Sequence, residues 1–161
     1  MNSRQIDVIR SLVCSSLLTL SCAAFVNEAV ASTFDIPSVL FGERRPFAND
    51  GIETALSGYD NPSEVLKNGA MAIPKLKDHF LVKIVGYTDN HECVVAECDH
   101  LSLKRAQLVY KWMLAHGVSA RQLLPPEGRG ANDPVGDNAT SDGRQLNRRV
   151  EFQWIPVSTT H

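Results

Sequence analysis

The sequence lacks the features that identify several large classes of protein. Its 161 residues carry a formal net charge of −2, so no excess of basic residues is present to bind a nucleic acid backbone. It contains no phosphate-binding loop of the G-x-x-x-x-G-K type and no G-x-S-x-G motif. No nucleophile stands beside a base in a recognisable catalytic arrangement. We therefore expect no nucleic acid partner, no cofactor and no enzymatic activity.

The first part of the chain lacks an apolar run long enough to span a membrane. The run SLVCSSLLTLSCAAFV has 16 residues, whereas a span needs about 20. Two basic residues, Arg4 and Arg10, precede this run, and Ala29 and Ala31 follow it as an A-x-A site. This combination predicts a secretory signal peptide over 1–31, cleaved after Ala31, with a membrane anchor as the alternative.

Cysteine is scarce, and the predicted cleavage makes it scarcer. Of the four cysteines, Cys14 and Cys22 leave with the signal peptide, unless Cys22 is the acceptor of a lipoprotein signal. The mature chain then keeps Cys93 and Cys98 in an oxidising compartment. A pair of thiols there favours a disulfide, and two free thiols are the alternative.

A metal site is a further alternative for the same cysteines. His91, Cys93, Cys98 and His100 offer four side chains that zinc accepts. The spacing departs from the usual zinc patterns, because single-residue gaps are tight for tetrahedral closure. We therefore expect no metal at this cluster.

Hydrophobic periodicity predicts one α/β domain in which helices cover one face of a small sheet. The strongest strand is HFLVKIVGY and the strongest helix is DHLSLKRAQLVYKWMLAHG. Further strands are predicted at 36–41, 123–124 and 148–157, and further helical segments from Asn49 or Asp50 to Gly58, at 61–74 and at 141–147.

Two charged residues beside the strongest strand and helix predict a binding site. Asp89 follows the strand, and Arg105 lies near the start of the helix, where we expect its head to remain in water. If the loop folds back, the two heads face one another across a pocket. A zwitterion would then place its ammonium on Asp89 and its carboxylate on Arg105. A capping aspartate and a solvated arginine are the alternative.

Three motifs, in this order, resemble the OmpA-like peptidoglycan-binding domain family. They are IVGYTDN, LSLKRAQLVYKWMLAHGV and GRGANDPVGDNATSDGRQLNRRVEF, within 81–152. The resemblance implies an α+β sandwich of βαβαββ order, with a mixed four-stranded sheet and helices on one face. It also implies non-catalytic binding of the peptidoglycan stem peptide at its diaminopimelate residue.

The resemblance also assigns ligand-binding roles to individual residues. The family's aspartate and helix arginine fall on Asp89 and Arg105, and the first arginine of its N-R-R motif falls on Arg148. Thr88 and Leu101 stand where the family lines the same pocket. The sequence departs from the family pattern at Cys98 in place of a pocket asparagine, at a loop one residue longer, at Tyr87 and at Phe41-Gly42.

These observations predict a periplasmic OmpA-like domain, associated with the cell wall or outer membrane, that binds peptidoglycan and anchors an envelope component. Its expected parts are an N-terminal strand and helical segment at 32–75, a core at 76–157 and a tail at 158–161. One alternative is a structural subunit of an envelope secretion or conjugation assembly, with other envelope proteins as partners. A second is a zinc or thiol-redox protein that uses the His/Cys cluster.

Overall fold

The fold is built around one mixed sheet. The computed structural model describes residues 36–58 and 60–157, which belong to one compact unit. The predicted signal peptide over 1–31 and the tail at 158–161 lie outside the described residues.

The sheet has four strands in the order β1-β4-β2-β3. They are β1 (Val39–Leu40), β2 (Phe80–Gly86), β3 (Glu127–Gly128) and β4 (Arg149–Pro156). β4 pairs antiparallel with both β1 and β2, whereas β3 pairs parallel with β2. The predicted mixed four-stranded sheet is therefore confirmed.

The helices begin and end at residues with clear local causes. The α-helices are α1 (Ile52–Ala55), α2 (Pro62–Ala72), α3 (Val95–Ala115) and α4 (Ser141–Asn147), with 3₁₀ turns at Ile73–His79 and Ala120–Gln122. Pro62 starts α2, where a missing N–H is tolerated. The Thr140 side chain caps α4 by accepting the Gly143 N–H. Gly117 ends α3 at φ +91°, a conformation that glycine adopts without steric penalty.

Two predicted helix starts are wrong. α3 begins at Val95 rather than at Asp99, so Cys98 lies inside its first turn. The N-cap of α1 is Gly51 rather than Asn49 or Asp50. The Asp50 carboxylate instead accepts hydrogen bonds from the Arg45 guanidinium and the Phe47 N–H, so it is not free to cap the helix.

The sequence prediction missed strand β3 and placed a short strand at 123–124 instead. Leu123 makes only an isolated bridge to Val82, and the paired residues are Glu127 and Gly128. Gly128 lies in register with Gly86 of β2. Both glycines lie against the backbone of α3, which fixes the helix over this end of the sheet.

The core lies between the sheet and the long helices. Its large fully buried apolar side chains come from every layer and include Phe41, Leu66, Ile73, Ile84, Val109, Met113 and Val150. Among the described residues, none of the helices has the length and apolar character that crossing a membrane requires.

Candidate functional site

The segment after β2 is held against two neighbouring parts of the chain. The Tyr87 N–H donates to the carbonyl of Arg149 at 2.8 Å, and the Thr88 N–H donates to the carbonyl of Gly130 at 2.8 Å. These bonds continue the strand pairing beyond Gly86. They place Asp89 beside the start of β4, where its side chain is buried.

Asp89 is the acceptor at the centre of a turn and of an ion pair. Its Oδ1 accepts the N–H groups of His91 and Glu92, at 2.6 and 2.9 Å. Its Oδ2 accepts from Nη1 of Arg148 at 2.8 Å. Burial alone raises the pKa of Asp89, but the Arg148 bond and the two backbone N–H groups outweigh it and leave the pKa below its ordinary value.

Arg105 is fully buried, so the prediction that its head remains in water is wrong. It binds both carboxylate oxygens of Glu92, at 2.6 and 2.8 Å. Its remaining three N–H groups donate to the carbonyls of Gly42, Arg45 and Tyr87. A guanidinium has five N–H donors, and all of them are used here.

Glu92 is the site residue that sequence reasoning missed. Its side chain is completely buried and accepts from four donors. Two are from Arg105, and the others are the backbone N–H groups of Asp89, at 3.2 Å, and Arg44, at 2.7 Å. No signal in the sequence separates Glu92 from the exposed Glu97, because both are glutamates of the same short stretch between β2 and the apolar part of α3.

The five predicted site residues lie in one region but not in the expected pairs. Asp89 forms an ion pair with Arg148, and Arg105 forms one with Glu92. Asp89 and Arg105 therefore do not form the expected pair. Thr88 is buried, and within the described residues its hydroxyl has no hydrogen-bond partner. Leu101 lines an adjacent cleft. A ligand-binding role for these residues stays a prediction.

The two cysteines form a disulfide. Cys93 and Cys98 are joined with their Cα atoms 5.2 Å apart, which ties the loop after Glu92 to the first turn of α3. Their thiols are therefore not available as zinc ligands in this structure. Among residues 36–58 and 60–157, no cluster of histidine, cysteine and acidic side chains is arranged to hold a metal ion.

Two neighbouring clefts open beside Glu92. The first has a volume of about 350 Å³, and its lining includes Arg44, Phe47, Glu92, His100, Leu101 and Lys104. The second has a volume of about 600 Å³, and its lining includes Arg44, Asn90, His91, Glu92 and Val94. Of the four residues in the two ion pairs, Glu92 is the one that lines these clefts, and it also binds the Arg105 guanidinium.

The lowered pKa of Asp89 predicts a specific dependence of stability on pH. Because the pKa falls on folding, the ionised carboxylate stabilises the folded state above its unfolded value of 3.8, and this contribution disappears as the pH falls through the folded value. We expect Asp89→Asn to be less stable than the original protein at about pH 6, with the difference shrinking below about pH 4. Urea denaturation of the two proteins across this pH range measures the difference in unfolding free energy. A difference that grows on acidification would contradict the sign of the shift.

Comparison with known proteins places this geometry in a family. The family model described as the OmpA family matches residues 62–148, more than half of the chain. Peptidoglycan-binding protein ArfA of Mycobacterium tuberculosis is 35% identical over 106 residues. The match covers 66% of this chain but only 30% of that relative, so the chain spans less than a third of the relative's length.

Solved structures share the same fold. The C-terminal domain of Helicobacter pylori MotB is similar with a TM-score of 0.59 and 22% identity, covering 76% of this chain and 87% of that domain. The cell wall anchor of the T6SS from Pseudomonas aeruginosa is similar with a TM-score of 0.52 and 28% identity, covering 73% and 78% respectively. The matched region contains the whole Asp89, Glu92, Arg105 and Arg148 cluster, and the chain belongs to the OmpA family.

Proposed function

We propose that this protein binds the diaminopimelate-bearing stem peptide of peptidoglycan and so anchors an envelope component to the cell wall. The site lies in the 76–157 core, in a mature chain that begins after a signal peptide cleaved at Ala31 and resides in the periplasm. Binding is non-covalent, and the protein is not an enzyme.

The observation that carries this proposal is the clustering of two carboxylates and two guanidiniums, of which the Glu92 carboxylate lines both clefts. Asp89 and Arg148 form one pair, and Glu92 and Arg105 form the other. A backbone hydrogen bond from Asp89 to Glu92 links the two pairs. A zwitterionic amino acid end needs both signs of charge within a few Å of each other, and this cluster supplies both.

The relatives agree with this assignment. A 35%-identical relative is a peptidoglycan-binding protein, and a 28%-identical solved structure is a cell wall anchor. The proposal extends their printed roles to this chain, whose matched region contains the cluster. The absence of an adjacent nucleophile and base in the sequence motifs favours binding over catalysis.

A structural role in an envelope assembly is the second candidate, and one observation favours it. Every donor of Arg105 is already used by groups of the protein itself. A family member whose helix arginine has all of its N–H groups bonded within the protein would keep the fold but would no longer bind the ligand. In that case the domain would connect other envelope proteins rather than the cell wall.

Sedimentation with purified peptidoglycan separates the two candidates. We expect the protein to sediment with insoluble peptidoglycan at low salt, and Asp89→Asn to remain largely in the supernatant because it can no longer attract an ammonium group. We expect a loss of affinity of at least about tenfold, as for removal of one charge-assisted hydrogen bond.

The matched control is Glu53→Gln, which removes the same charge from an exposed position on α1. It should sediment like the original protein, and circular dichroism should show all three proteins folded. Retention of the original protein in the supernatant at low salt would reject peptidoglycan binding and favour the structural role.

A further inference from the structure

We propose that the Glu92 carboxylate occupies the position on Arg105 that the carboxylate of the ligand takes on binding. The ligand then binds by displacing the Glu92 carboxylate from Arg105. The inference rests on the peptidoglycan-binding function proposed above and describes how that same site is regulated. Glu92 is then an internal competitor that sets the affinity of the site.

The geometry around Glu92 is that of a bound carboxylate. Arg105 donates to both of its oxygens through a bidentate contact, at 2.6 and 2.8 Å. One oxygen also accepts the Asp89 N–H, and the other accepts the Arg44 N–H. Two of these four donors belong to Arg105, whose head also donates to three backbone carbonyls, and the other two are backbone N–H groups. We expect the same donors to receive the carboxylate of a ligand.

Glu92 and Arg105 differ in their freedom to move. Arg105 lies in the middle of a long helix, and its bonds to the carbonyls of Gly42, Arg45 and Tyr87 fix its head. Glu92 lies in the short irregular segment before α3 and lines both clefts. A rotation of its side chain into either cleft would open the guanidinium without moving the helix.

A resident carboxylate also explains how an empty site remains stable. A buried guanidinium without a counter-charge is strongly destabilising, and Glu92 supplies the counter-charge when no ligand is present. The apparent affinity for ligand is then reduced by the fraction of molecules in which Glu92 is displaced. A variant with a weaker competitor at position 92 should therefore bind the ligand more tightly.

The test compares Glu92→Ala and Glu92→Gln with the original protein, each expressed as the full chain and purified from the periplasm. In Glu92→Ala, acetate and meso-diaminopimelate should raise the melting temperature by filling the vacated position, with no comparable rise in the original protein. In Glu92→Gln, calorimetry should give a dissociation constant for meso-diaminopimelate at least about tenfold lower than in the original protein.

The matched control is Glu53→Gln. Glu53 is exposed on α1 and does not line either cleft, so this variant removes the same charge and leaves the Glu92–Arg105 pair in place. Its affinity for meso-diaminopimelate should change less than about twofold, since an exposed charge acts weakly. If Glu92→Ala does not fold, the comparison between Glu92→Gln and Glu53→Gln tests the inference alone.

The outcomes separate this inference from the proposed function. If the original protein sediments with peptidoglycan but Glu92→Gln binds meso-diaminopimelate no more tightly, displacement of Glu92 is rejected and peptidoglycan binding stands. If acetate stabilises Glu92→Ala but no protein binds meso-diaminopimelate or peptidoglycan, the carboxylate position is supported and the proposed ligand is rejected.

Discussion

Arg105→Ala is expected to lose about 4 kcal/mol of unfolding free energy, because it leaves a buried carboxylate without its counter-charge. This carboxylate belongs to Glu92, whose side chain is completely buried. The variant also removes donors from the backbone carbonyls of Gly42, Arg45 and Tyr87. Because a domain of this size is stabilised by only about 5–15 kcal/mol, the change removes a large share of its stability. Urea denaturation followed by circular dichroism measures the loss.

The control for this result is Lys111→Ala, an exposed cation on the same helix. It should change the unfolding free energy by less than about 0.5 kcal/mol. The double variant Arg105→Ala/Glu92→Ala should lose less than the sum of the two single variants, since the unpaired charge is removed together with its partner. Strict additivity would show that the two side chains do not interact as the structure places them.

Gly86→Ala is expected to destabilise the protein by about 3 kcal/mol, at the upper end of the range for overpacking. An added Cβ at Gly86 would overlap the carbonyl oxygen of Ser102 and lie 3.3 Å from the amide nitrogen of Ala106. Both are backbone atoms of α3, so no side chain can rotate away. The helix itself would have to shift, and Arg105 lies between these two contacts. The same variant should therefore also weaken binding to peptidoglycan.

The control for Gly86 is Gly51→Ala, whose added Cβ meets no atom within 4 Å. This variant should lose less than about 1 kcal/mol, which is the usual effect of alanine at a helix N-cap. Denaturation midpoints of the two variants give the comparison. Equal stability of Gly86→Ala and Gly51→Ala would contradict the close approach of α3 to β2.

Local patterns predicted the parts of the fold that local forces determine. Hydrophobic periodicity identified β2, β4 and most of α3. β3 was not predicted, because two residues after a Pro-Pro pair carry no periodicity. Its pairing depends on the parallel register with β2, which is a long-range contact.

The sequence predicted most of the charged residues of the site but not which of them form ion pairs. Motifs identified Asp89, Arg105 and Arg148, and the structure brings them into one region. The burial of Arg105 could not be predicted from its own helix, where a cation beside an apolar stripe usually keeps its head in water. Burial became possible because Glu92, 13 positions earlier in the chain, provides a buried counter-charge.

The strand order has a consequence for when the domain can form. β1 and β2 are not neighbours, because β4 lies between them and pairs with each. Before residues 149–156 are available, the sheet is left with the two-residue pairing of β2 with β3. Closure over such long sequence separations is entropically unfavourable until the last strand arrives. We therefore expect the sheet to form only after residues 149–156 have been synthesised.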